Sequence, residues 1–166
     1  MAGYDPRRSF GFIIADVTRL LRRSFNCRAQ RMGLGLTPAQ WQTLAHVSRN
    51  EGINQGALAQ ILEVQPITLS RLVDRLEAAG WVDRRPDPCD RRAVRLFLTD
   101  AAQPILERIR AVAVETMTEA MAGIPDDVRE GIIDTLLAVR ENLLCQDAVA
   151  GSEGLMTCQE EVPTDV

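Results

Sequence analysis

The sequence predicts a mainly α-helical protein, interrupted once past its middle by a short β-hairpin. Three observations predict this. Apolar residues recur at helical spacing in several separate segments. Those segments are bounded by start and stop residues such as Thr37-Pro38, Pro66 and Gly80. The clearest two-residue period lies at Val94, Leu96 and Leu98, which alternate with Arg95 and Phe97 as strand residues do.

The first helix is expected over residues 8–31. Phe10, Ile14, Val17, Leu21, Phe25 and Arg28 follow its period, with Arg19, Arg22 and Arg23 toward the other side, and Gly33-Leu34-Gly35 ends it. Thr37-Pro38-Ala39-Gln40 has threonine at the N-cap, proline at the first helical position and glutamine at N3, a capping-box start for a second helix to about Asn50. Glu51-Gly52-Ile53 is too short for more than a connecting bridge. Asn54 is placed to cap a short helix, 55–62, that turns Leu58, Ile61 and Leu62 inward. Across the tight connection Glu63-Val64-Gln65, Pro66 opens a helix over 66–79 with a single inward stripe, Leu69, Leu72, Val73 and Leu76, and Gly80 stops it. Trp81–Arg85 and Arg92–Leu98 form the hairpin, joined by the arginine-tipped turn PDPCDRR. Asp100 and Gln103 begin a long helix to about Ala122, with Pro104 tolerated in its first turn. Gly123-Ile124-Pro125 breaks the chain before a last helix over 126–144. Residues 146–166 are acidic and aperiodic and are expected to be a disordered tail.

The 166 residues carry a net charge of −4, which argues superficially against a nucleic-acid partner. The average conceals a division. Residues 1–99 hold fifteen arginines against nine acids, +6, and residues 100–166 hold four against fourteen, −10. A basic front and an acidic rear suit one face for a polyanion and another turned away. No apolar run approaches the ~18–20 residues of a membrane helix. The N-terminus, broken by Asp16 and Arg19, makes a poor signal peptide, so the expected compartment is the cytoplasm. Four cysteines (27, 89, 145, 158) without a CxxC pair, one histidine, no Ser/His/Asp set and no phosphate loop give no metal site, no cofactor and no enzyme.

Two helices across a tight turn, 55–79, followed at once by a hairpin, make a winged helix-turn-helix. Residues 62–99, LEVQPITLSRLVDRLEAAGWVDRRPDPCDRRAVRLFLT, closely resemble the core of the MarR family of bacterial transcription regulators, as does Leu36-Thr37-Pro38-Ala39-Gln40-Trp41. The most diagnostic pieces are Leu72-Val73-Asp74-Arg75-Leu76-Glu77 with Gly80, then Asp90-Arg91-Arg92, then Leu98-Thr99. The resemblance covers residues 10–144 and departs at Ala102, where many members carry glycine. It implies a DNA-binding lobe, 35–99, and a helical dimerisation lobe from residues 1–34 and 100–145, outside which lies the tail, 146–166. The function it implies is that of a ligand-responsive repressor on double-stranded DNA. Such a homodimer binds a palindromic operator with helix 66–79 in the major groove and wing 86–92 in the minor groove.

The helix can also be read by itself. Turning its stripe inward leaves Ile67, Thr68, Ser70, Arg71, Asp74 and Arg75 outward. A recognition helix reads bases mainly with its N-terminal residues, which favours Pro66, Ile67, Thr68, Ser70 and Arg71. Arg71 suits guanine O6 and N7, Ile67 and Thr68 suit thymine methyls, and Arg75, one turn on, suits a phosphate. Arg84 and Arg85 either reach phosphate too or pair with acids nearby. Asp74, Glu77 and Asp83 are expected to pair internally. From the resemblance, Arg92 enters the minor groove with Asp90 holding its guanidinium, and Arg91 stands beside them. A protein-binding adaptor is the other reading of such a fold, though it has no need of an arginine tip.

The resemblance further implies a small aromatic or amphipathic effector lodged among the first, second and fifth helices. The candidates are Phe25, Arg28, Trp41 and His46, each of which reads first as plain core or surface. Cys89, beside Arg91 and Arg92, reads either as a redox switch with a favoured thiolate or as an incidental exposed thiol. The oxidant-sensing pattern of some relatives is absent, since Cys27 lies only nine residues before Leu36 and Tyr4 is the one tyrosine. The apolar stripes Ile105, Ile109, Val112, Thr116 and Val128, Ile132, Leu136, Val139, Leu143 read as a dimer interface or as packing within the chain.

Overall fold

The computed structural model of the chain describes residues 6–90 and 92–156. Six helices and three strands follow in order: α1 (Phe10–Arg31), α2 (Pro38–Arg49), β1 (Ile53–Asn54), α3 (Gln55–Ile61), α4 (Pro66–Ala78), β2 (Val82–Pro86), β3 (Val94–Leu98), α5 (Gln103–Ala120) and α6 (Asp126–Met156). Two compact units divide them, residues 1–120 and 121–166. No helix among the described residues is long and apolar enough to cross a membrane.

Local chemistry sets the boundaries in the first unit. Thr37 Oγ1 accepts the Gln40 N–H at 3.3 Å while Gln40 Oε1 accepts the Thr37 N–H at 2.9 Å, so the capping box forms in full. Asn54 Oδ1 accepts the N–H groups of Gly56 at 2.7 Å and Ala57 at 3.3 Å and starts α3. The helix-turn-helix connection passes through Glu63 at φ 54°, and the Val64 N–H closes back on the Ala59 carbonyl at 3.0 Å. Arg108 donates to the Gly33 carbonyl at 2.5 Å and so satisfies the chain just past α1.

The sheet has three strands, in the order β1-β3-β2, where the sequence suggested a hairpin alone. Two residues carry no period, so β1 is invisible to pattern. It forms because Gly52, at φ 79°, turns the chain beside β3 and donates its N–H to the Leu96 carbonyl at 2.9 Å. Val82 pairs with Leu98, Arg84 with Leu96 and Pro86 with Val94, so these share one face. Asp83, Arg85, Arg95 and Phe97 share the other.

The core runs from Phe25 and Ala29 of α1 through Leu44 and Val47 of α2, Leu58 of α3, Leu69, Val73 and Leu76 of α4 and Leu96 of β3 to Ile109 and Val112 of α5. Ala102 is fully buried in the single turn that precedes α5, not within the helix. The stripe Ile105, Ile109, Val112 and Thr116, expected as a candidate interface, is buried inside this unit because α5 packs along α1. The same helices are joined by charge. Arg28, 8% exposed, donates to Glu115 Oε2 at 3.0 Å and pairs with Glu119. Its hydrogen bond, more than its charge at a distance, holds the Glu119 carboxyl below the ordinary range.

In the second unit, α6 begins with Asp126 and Asp127, where the helix dipole favours anions. Val128, Ile133, Leu136, Leu137, Leu143 and Leu144 are exposed along it. The helix continues to Met156, across residues 146–156, where a disordered acidic tail was expected; no proline interrupts it, and elongation requires no apolar period. Residues 157–166 of that tail lie outside the described residues.

Two outcomes follow for stability. Leu69 is fully buried and Ile67, two residues earlier, is 62% exposed. In urea titrations Leu69→Ala should cost roughly 2–5 kcal/mol and Ile67→Ala less than about 0.5 kcal/mol; equal losses would mean that α4 is rotated. Glu119, with its lowered pKa, stabilises the fold above its ordinary value of 4.5 and loses that contribution as pH falls through the folded value. Wild-type stability should therefore drop more steeply below pH 4.5 than that of Glu119→Gln; parallel curves would remove the pair from the account.

Candidate nucleic-acid interface

The helix α4 presents its first turn outward. Pro66, Ile67 and Thr68 are exposed, and Ser70 is half-buried. Leu69, Val73 and Leu76 are buried and Leu72 half-buried, so the rotational setting read from the stripe is the observed one. Arg71 and Arg75 are exposed on the outer face. Among the described residues neither makes an ion pair, and the same is true of Arg92 at the wing. These three guanidinium groups are therefore open to an external anion.

The other arginines of the region are engaged. Arg84 shares a strand face with buried Val82 and reaches into the angle between α3 and α4. Its Nε donates to Gln55 Oε1 at 3.2 Å, one terminal nitrogen to Glu77 Oε2 at 2.5 Å, and the other to the Ser70 carbonyl at 3.0 Å and Asp74 Oδ1 at 2.6 Å. Of its two readings, the internal pairing is the one formed: Arg84 spends its donors fixing α4 to the hairpin. Strand alternation from Val82 was the signal for this. Arg85 lies over the Phe97 ring, 4.3 Å from its centroid, and 3.6 Å from Asp83.

The turn differs from expectation in one respect. Asp90 does not hold the Arg92 guanidinium. Its Oδ1 accepts the backbone N–H of Arg92 at 2.9 Å, the Asx turn that a short acidic side chain forms most readily. The acid that grips a guanidinium is Asp87, whose Oδ2 accepts from Arg95 Nε at 2.6 Å. Sequence reading missed both partners; a carboxylate and a guanidinium on facing ends of a hairpin were the available signal. Hydrogen bonding from the Cys89 N–H, then from Arg95, holds the Asp87 carboxyl below its usual range. Cys89 itself is exposed. Arg91 lies outside the described residues.

The effector candidates gather around Trp41, though not all of them. Its ring lies 4.0 Å from that of Phe25, centroid to centroid, and its indole N–H donates to Asn26 Oδ1 at 3.0 Å. A cleft of about 220 Å³ on one side is lined by Trp41, His46, Arg22 and Arg49. A smaller one of about 140 Å³ is lined by Phe25, Trp41, Arg22 and Met117. His46 titrates below its ordinary value because it is partly buried and faces Arg49 and Arg22. Arg28 lines neither cleft, since Glu115 and Glu119 engage its guanidinium. Arg22 takes that place, one turn before Phe25 on α1. Among the described residues no cluster of acidic, histidine and cysteine side chains could hold a metal ion.

Comparison with known proteins agrees with this architecture. The family model described as MarR family matches residues 34–93. The crystal structure of transcriptional regulator PA3341 is similar at 32% identity over 81% of this chain and 98% of that one, with a TM-score of 0.67. A MarR transcriptional regulator from Methanosarcina mazei Go1 shares 27% identity over 81% of this chain and 95% of its own, with a TM-score of 0.69. CouR from Rhodococcus jostii RHA1, solved bound to p-coumaroyl-CoA, shares the fold at 23% identity over 82% and 95% of the two chains, with a TM-score of 0.66. Helix-turn-helix, wing and relatives point the same way: the chain belongs to the MarR family, whose members are DNA-binding transcription regulators.

Proposed function

We propose that the chain is a dimeric, ligand-responsive repressor that binds a palindromic operator. The observation that carries this reading is the sorting of arginines. Arg71, Arg75 and Arg92 stand exposed and unpaired among the described residues on α4 and the wing, while Arg84, Arg85 and Arg95 are engaged within the protein. Pro66, Ile67, Thr68, Ser70 and Arg71 face the major groove, Arg75 meets phosphate, and Arg92 enters the minor groove, with Arg91 beside it and Asp90 shaping the turn. Arg84 acts behind this face.

Dimerisation is supported by the apolar side chains exposed at the two ends of the chain. Phe10, Phe12, Ile13, Val17 and Leu20 lie open on α1, and Leu136, Leu137, Leu143 and Leu144 on α6. This is more than scattered surface apolarity. A two-fold pair of α4 helices reads half-sites about one DNA turn apart. The clefts beside Trp41 suit a small aromatic or amphipathic effector whose anionic end meets Arg22 or Arg49. CouR, which shares the fold, was solved bound to p-coumaroyl-CoA, whose acyl end is aromatic and whose carrier is anionic.

Selection of bound sequences from random duplex DNA gives the operator, and variants then test the face. Arg71→Ala should relax preference at one position in each half-site by roughly 1–3 kcal/mol, at positions related by symmetry. Arg92→Ala should weaken all duplexes, most where an A·T-rich flank narrows the minor groove, and lower the salt slope by about one unit. Uniform weakening by Arg71→Ala would make it a phosphate contact, and an unaffected Arg92→Ala would favour the adaptor. Sedimentation at micromolar concentration should give twice the 18.4 kDa chain mass; a well-folded monomer would rule out the paired recognition helices.

A further inference from the structure

The wing contains a carboxylate to which DNA reading assigns no task. Asp87 opens the β2–β3 turn and is only 8% exposed, on the loop that the proposed function turns toward DNA. Its two oxygens are divided between the tip and the strand. Oδ1 accepts the Cys89 N–H at 2.9 Å and Oδ2 accepts Arg95 Nε at 2.6 Å. The main chain closes the same turn, with the Asp87 N–H on the Ala93 carbonyl at 3.0 Å and the Ala93 N–H on the Asp90 carbonyl at 3.0 Å. Asp90 then takes the Arg92 N–H at 2.9 Å. The Asp87 carboxylate thus ties the backbone at Cys89 to Arg95, the second residue of β3.

We propose that Asp87, clamped by Arg95, is the positioning residue of the wing, holding the tip in its groove-ready form before DNA arrives. This rests on the reading of Arg92 as the minor-groove contact. A loose tip would have to be ordered on binding, at the expense of affinity. An unpaired anion there would also repel phosphate, and Arg95 neutralises it. Arg95 stands opposite Arg85 in register, a like-charge pairing that a sheet disfavours. The two are parted because one turns to Asp87 and the other lies over Phe97.

The test uses the full chain, a duplex recovered by selection and carrying an A·T-rich flank, and several salt concentrations. Asp87→Ala should weaken binding about tenfold and lower the salt slope by about one unit. It should also speed amide exchange at Cys89 in the free protein. Asp87→Asn, which keeps an acceptor for that amide, should lose less. In an Arg92→Ala background, Asp87→Ala should add nothing further, because both changes remove one contact. Should Asp87→Ala fail to fold, Asp87→Asn and Arg95→Gln carry the same cycle. If Arg92→Ala weakens binding while the Asp87 and Arg95 variants bind as wild type, or add their full effect to it, the positioning role is overturned and Arg92 keeps its own. If Arg92→Ala leaves binding unchanged, the minor-groove reading falls and takes this proposal with it.

Discussion

The recognition face depends on the placement of one guanidinium. Arg84 joins α3 through Gln55, α4 through the Ser70 carbonyl, Asp74 and Glu77, and β2 through its own backbone. Only a planar group with five donors can serve partners in so many directions, and lysine has neither the fork nor the reach of its Nε. Its side chain is 21% exposed, so the charge is withdrawn from bulk water and its removal would leave a half-buried polar pocket without a donor. It ties α4 to the strand that leads into the wing, the two elements proposed to meet DNA.

A division of labour follows among side chains of one type. All nineteen basic residues of the chain are arginine. Arg28 joins α1 to α5, Arg108 satisfies the end of α1, Arg84 and Arg95 shape the winged segment, and Arg71, Arg75 and Arg92 remain for external anions. Arg84 takes its role from its strand face, which it shares with buried Val82 and Leu96, while Arg71 and Arg75 lie on the outer arc of α4.

Much of this was legible in the sequence. The four-residue run from Thr37 to Gln40 and the single Asn54 fixed two helix starts, because caps are local chemistry and need no tertiary knowledge. The stripe Leu69, Val73, Leu76 fixed which arc of α4 is outward. Strand β1 was not legible, because two residues have no period and its pairing with Leu96 is a long-range event. Arg28 was misplaced as a cleft residue for a similar reason. Its partners Glu115 and Glu119 are distant in sequence, and only the packing of α5 on α1 brings them near. The resemblance gave Asp90 the Arg92 guanidinium, but a short side chain closes onto the backbone first, and Asp87, to which no role was assigned, holds Arg95.

The exposed arginines have a consequence for how the protein can sense acidity. A guanidinium keeps its proton at every pH a cell tolerates. Ionic strength screens the charge of an exposed face built of such groups. A proton-driven change near neutral pH would start from a group other than a guanidinium. His46, beside Trp41 and held below its ordinary pKa by burial and by Arg49 and Arg22, is the one histidine in the chain. Binding measured against salt then reports on the exposed face, and His46 is a group by which pH can reach the helices behind it.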